Sequence, residues 1–191
     1  MLWAHALGTT VAGAAVGLAL VTVGAVVTRL AIGGEATAAT IVAGLAALYG
    51  VREAGLSRLR VPCRSRQVAQ SRGRRDARPR FAAFVYGLGL GAGFVTYIPV
   101  GTFLVVAAWV LLSPGAAAVA AMAAYGAARA VPLFVIGPGA ARDQASLTAV
   151  SDALFVWQPL VHLANGLALA FVASYLVIAS SAGYLSPAGG S

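Results

Sequence analysis

One apolar run constrains this chain more than any other feature. From Phe81 to Leu112 there is no charged side chain, yet Pro99 and Gly101 stand in the middle, after Gly87, Gly89, Gly91 and Gly93. About 20 apolar residues cross a bilayer, so the run is long enough to span. Proline cannot donate the backbone hydrogen bond that a helix interior needs, and its ring crowds the preceding turn. In lipid a broken hydrogen-bond ladder survives only where other protein or a water-lined cavity satisfies the freed groups. The sequence therefore predicts a helix interrupted within the membrane and enclosed by its neighbours. Gly87/Gly91 and Gly89/Gly93 have the small-xxx-small spacing that lets helix backbones approach closely.

The rest of the composition agrees with a membrane solvent. The chain has 191 residues, 60% of them hydrophobic and 9% charged, with mean hydropathy +0.88. Soluble domains carry about 25% charged residues. The fold class expected is all-α: a polytopic transmembrane helical bundle of about five spans. These are placed at about 2–28, 36–56, 81–112, 116–137 and 155–180, in one integral membrane domain over 1–191. No cleaved leader is expected, because the first apolar stretch is too long for a signal-peptide core.

All 13 basic residues are arginine, and ten lie between Arg52 and Arg80. Between two spans, such a segment reads as a cytoplasmic loop (57–80) held near anionic lipid headgroups, not as a nucleic-acid surface. With that loop inside, the N-terminus is cytoplasmic and the C-terminus extracytoplasmic. The arginine- and alanine-rich usage points to a GC-rich bacterial genome, and so to a bacterial plasma membrane.

The residues able to carry chemistry are few. At the break, Gly93, Thr96, Tyr97, Pro99, Gly101 and Thr102 form a candidate substrate or packing site, since half-helix ends and freed carbonyls bind ions or polar solutes in transporters. Tyr125, Arg129 and Pro132 in the fourth span are accessory candidates. An intramembrane arginine costs about 2.5–3.5 kcal/mol on insertion scales, which calls for a partner or for snorkelling to the headgroups. His162 and Asn165 are further candidates, because i and i+3 share a helix face. His5 reads as an interfacial residue. Cys63, the one cysteine, lies among arginines that favour thiolate and is a candidate reactive thiol. A single thiol excludes an internal disulfide and a paired-cysteine metal site. No metal and no cofactor are expected, and no hydrolase, kinase or intact thiol-relay signature marks an enzyme.

IVAGLAALYGV in the second span is similar to HLANGLALAFV in the fifth, which reads as an incomplete inverted repeat of two plus three spans. The segments FVYGLGLGAGFVTYIPVGTFLVVAAWVLL and AAYGAARAVPLFVIG, continuing to Gly166, resemble the cytochrome c biogenesis protein CcdA and the membrane domain of DsbD, within the LysE-like superfamily. Thr96, Ile98, Pro99 and Gly101 echo that family's Thr-Pro-Cys-Ile-Gly-Pro-like break, and Tyr125, Gly126 and Pro132 echo its following motif. The resemblance implies a role in thiol or cytochrome c maturation, with a thioredoxin-like partner. The family relays electrons through one cysteine in each half. By this resemblance the family's first helix is missing here, and Tyr97-Ile98 stands where the second cysteine belongs. Thiol–disulfide exchange needs both an attacking thiolate and a disulfide, so the resemblance implies the fold without a cysteine relay. The alternatives read from the same residues are a small exporter of a cation or solute and a structural subunit of a membrane complex.

Overall fold

The computed structural model describes residues 1–31, 34–59, 78–92, 101–113, 115–140 and 144–182. The fold is an all-α helical bundle, and no strand occurs among the described residues. Its helices are α1 (Leu2–Ala31), α2 (Gly34–Glu53), α3 (Pro79–Gly91), α4 (Thr102–Leu112), α5 (Ala116–Ala128), α6 (Val131–Ala140) and α7 (Gln144–Ser181). Leu2–Thr28, Ala116–Val135 and Val156–Ser181 are each long and apolar enough to cross a membrane, and Thr102–Leu112 is a shorter apolar helix. The protein is a membrane protein, with the lipid bilayer as its surroundings.

The apolar run read as a broken span holds two helices, α3 ending at Gly91 and α4 beginning at Thr102. Gly93, Thr96, Tyr97 and Pro99 lie between them, outside the described residues, as does Cys63 in the arginine loop. The fourth apolar segment is also two helices. The joint lies at Arg129–Ala130, and Pro132 enters α6 at its second residue. There a missing N–H costs nothing, since the first turn has no partner for it. The last helix is longer than the segment expected from 155, because α7 continues through Pro159 from Gln144.

The described chain divides into two compact units that share three helices. One comprises Met1–Val16, Pro62–Ile98 and Ala120–Pro159; the other comprises Gly17–Val61, Pro99–Val119 and Leu160–Ser191. In the first, α1 is the shared strut. A Cβ at Gly91 of α3 or at Gly126 of α5 would overlap the Thr9 carbonyl of α1, so both helices touch α1 backbone to backbone. Trp3 and Phe134 stack edge to face 5.0 Å apart and tie α6 to the same helix. His5, read as an interfacial residue, is buried against α3, with its ring centroid 5.5 Å from that of Tyr86. Gly87 explains this placement, because its missing side chain lets the His5 backbone close in.

In the second unit the core is Ala38, Val42 and Ala46 of α2, Val105 and Leu112 of α4, and Leu169 and Ala173 of α7. The four-residue steps along α2 put small side chains on one helix face. Gly50 extends that face, and it meets Gly166 of α7 at van der Waals range. The helix then stops at Glu53, short of the expected Leu56, for a local reason. Gly55 takes φ +78°, Leu56 N–H reaches the Val51 carbonyl at 3.0 Å, and Gly55 N–H reaches the Arg52 carbonyl at 2.9 Å. These two bonds are a Schellman cap, which glycine allows at no steric cost.

A candidate polar site around Glu53

Where α2 ends, it carries Arg52 and Glu53 side by side. The Glu53 side chain has no solvent exposure. Burying a carboxylate is expensive unless it is paired and hydrogen-bonded, and every donor it needs is present. Oε1 accepts the Gly101 backbone N–H at 2.8 Å. The same oxygen accepts Arg52 Nη1, and Oε2 contacts His162 Nδ1. The Arg52 guanidinium is itself anchored, its Nε donating to the Leu59 carbonyl at 2.9 Å in the segment after the Schellman turn.

The Gly101 contact ties this charge to the broken span. Gly101 is the N-cap of α4, and that helix takes no capping bond from its own side chains. The first four N–H groups of a helix have no internal partner, and its N-terminus carries a partial positive charge. Glu53, reaching across from α2, supplies the acceptor and the negative charge. Position 101 must be glycine for this approach, because a Cβ there would lie 2.6 Å from the Tyr49 ring. The next residue, Thr102, donates its hydroxyl to Asn165 Oδ1. The ends of α2 and α4 are therefore both fastened to the same stretch of α7, through His162 and Asn165.

The structure thus brings together Gly101, Thr102, His162 and Asn165 of the sequence-derived candidates. Tyr125, Arg129 and Pro132 stand in the other unit, at the α5–α6 joint, where Arg129 lies near the half-buried Tyr125. The central residue of the site, Glu53, was not among the candidates. It reads in sequence as the loop side of a positive segment. One local signal marks it: an acid in the last turn of a helix opposes the helix dipole, so it calls for a compensating partner from another element.

Beside Thr102 and Asn165 lies a cavity of about 360 Å³, walled by Val42, Val105, Trp109, Leu169 and Tyr175 among others. Its lining is mostly apolar, and Thr102, Trp109, Asn165 and Tyr175 are the lining residues with polar side-chain atoms.

No protein-family model matches the chain, and no solved structure matches it. Part of it is similar to a curated protein. Over 93 residues it is 38% identical to the methylamine utilization protein MauF of Methylorubrum extorquens, a stretch covering 46% of this chain and 31% of MauF. The chain thus spans about a third of the length of that relative.

Proposed function

We propose that this chain is a CcdA/DsbD-like multi-pass membrane protein that serves methylamine utilization, in thiol or cytochrome c maturation, without a cysteine relay of its own. The observation that carries the reading is the similarity to MauF, 38% identity over 93 residues. The single Cys63 supports the second half, since one thiol cannot cycle through an internal disulfide. Any electron transfer would then run through a thioredoxin-like partner. On this reading there are five spans in a bacterial plasma membrane. The Arg52–Arg80 loop faces the cytoplasm against anionic headgroups, the N-terminus is inside and the C-terminus outside.

Disruption of the gene in its host tests the proposal. Growth on methylamine as nitrogen source is expected to fail while growth on ammonium continues, with haem-stained c-type cytochromes reporting the maturation branch. Both the wild-type gene and Cys63→Ser are expected to restore growth. Unimpaired growth of the disrupted strain on methylamine contradicts the proposal, and failure of Cys63→Ser to complement contradicts the absence of a thiol role.

A second reading, transport of a cation or small solute, draws support from Glu53, since an ionisable group buried among membrane helices is a frequent mark of an ion or substrate path. Initial-rate uptake of labelled methylamine separates the two. The maturation reading predicts unchanged uptake in the disrupted strain, and the transport reading predicts its loss.

A further inference from the structure

The partners of Glu53 are of two kinds, fixed and titratable. An arginine side chain keeps its charge in a protein, and the positive end of α4 is permanent. His162 is different, because imidazole is the side chain whose ordinary charge change falls between pH 5 and 8. Arg52 and the Gly101 N–H both use Oε1, while His162 Nδ1 contacts Oε2. One carboxylate oxygen is therefore tied to groups that do not titrate, and the other to a group that does.

Three elements meet at this carboxylate, all within the second unit. From α2 come Arg52, Glu53 itself and Tyr49, whose ring packs on Gly101. From α4 comes the N-terminal N–H and no titratable side chain, since the helix reads TFLVVAAWVLL. From α7 come His162 and, one turn on, the neutral Asn165. The Glu53 side chain has no solvent exposure, whereas those of Arg52 and His162 are 21% and 25% exposed. The exposed edge lies beside the turn that carries the chain out of α2, where Arg52 reaches the Leu59 carbonyl. A proton can thus reach the imidazole without the carboxylate being opened.

We propose that the Glu53–His162 contact is a proton-operated latch, which tightens the hold of α7 on the ends of α2 and α4 when His162 is charged and relaxes it when the ring is neutral. Charge-assisted hydrogen bonds are roughly twice as strong as neutral ones. In the unfolded chain the ring has no fixed carboxylate beside it. Acid therefore adds to the stability of the folded bundle, and that addition is lost as rising pH discharges the ring. The bonds on Oε1 do not titrate, so α2 and α4 stay joined throughout. With the latch relaxed, α7 keeps the Thr102–Asn165 bond alone of its two polar ties to these helix ends. The latch rests on the geometry of the site and on neither reading of the function.

Thermal midpoints of the detergent-purified wild type and His162→Gln, at about pH 5.5 and about pH 8, test it. Glutamine keeps a neutral N–H donor, so the difference between the two proteins isolates the charge. Titration of every other group is common to both and cancels. The advantage of the wild type is expected to be about 2–4 °C larger at the lower pH. In a Glu53→Gln background it should vanish or change sign, because a charged imidazole then faces Arg52 with no carboxylate between them. An advantage that is the same at both pH values overturns the proposal. So does one that grows on acidification equally with and without the carboxylate. The first comparison needs only a variant at a partly exposed position, so it decides even where Glu53→Gln fails to fold.

Discussion

Glu53→Leu is expected to cost about 3 kcal/mol and to lower the thermal midpoint of the detergent-purified protein by about 10 °C. The leucine fills the space but accepts nothing. The Gly101 N–H loses its acceptor in a buried position, and the capping charge at the start of α4 disappears. Arg52 and His162 lose their shared partner, but their side chains are 21% and 25% exposed. Water or headgroups can take up part of that loss, which is why the figure falls at the low end for a broken buried pair. Glu53→Gln keeps an acceptor for Gly101 and removes the charge, so it should cost roughly 1 kcal/mol. A thermal scan by fluorescence or circular dichroism checks the order, wild type above Gln above Leu. A Leu variant as stable as wild type would mean that the carboxylate does not hold these helix ends.

The second large effect lies in the other unit. Gly91→Val should destabilise by about 1–3 kcal/mol or more, because overpacking a well-packed contact forces backbone shifts. The first atom added would overlap the Thr9 carbonyl and crowd the Thr9 Cα, neither of which can rotate away. Helices α1 and α3 must then separate, loosening the His5–Gly87 contact one turn away. Gly44 is the internal control, since nothing lies within 4 Å of a Cβ built there. Gly44→Ala should leave stability unchanged or raise it by up to ~1 kcal/mol through helix propensity. Steady-state level in membranes and thermal midpoint should both fall for Gly91→Val and for neither at Gly44. Equal behaviour of the two variants would remove the close α1–α3 contact from the account.

These two sites show what the residues disclosed in advance and what they did not. Hydropathy and the near absence of charge are enough to make the chain helical and membrane-bound, because only helices and closed barrels satisfy their backbones in lipid. Glycine spacing announced close approach at Gly87 and Gly91. It did not say that α1 would be the partner, since spacing carries no information about which helix comes near. His162 and Asn165 announced one face of α7, but the face alone does not reveal what it meets. Glu53 was hidden for a different reason. Adjacent to Arg52 and followed by an arginine-rich loop, it looks like part of a solvated boundary. Its burial follows from the Schellman turn at Gly55, which ends the helix under the Gly50–Gly166 crossing, and from the need of α4 for a cap that its own sequence lacks. Both are tertiary facts. The joint at Arg129–Ala130 was likewise unreadable, because Pro132 is equally compatible with a kinked continuous helix and with the start of a new one.

Glu53 and His162 act together to hold the ends of α2 and α4 to α7. A double-mutant cycle measures that directly. Thermal or denaturant unfolding of the detergent-purified wild type, Glu53→Gln, His162→Gln and the double variant isolates the coupling between the two side chains. Polar contacts between membrane helices average about 0.6 kcal/mol in such cycles and reach about 1.7. The Glu53–His162 pair, with a buried carboxylate also bound to a helix N-terminus, is expected near the upper end, at about 1 kcal/mol or more. The double variant should then be less destabilised than the sum of the singles by that amount. Effects that add to within about 0.3 kcal/mol would contradict the claim, because residues that do not interact show that behaviour.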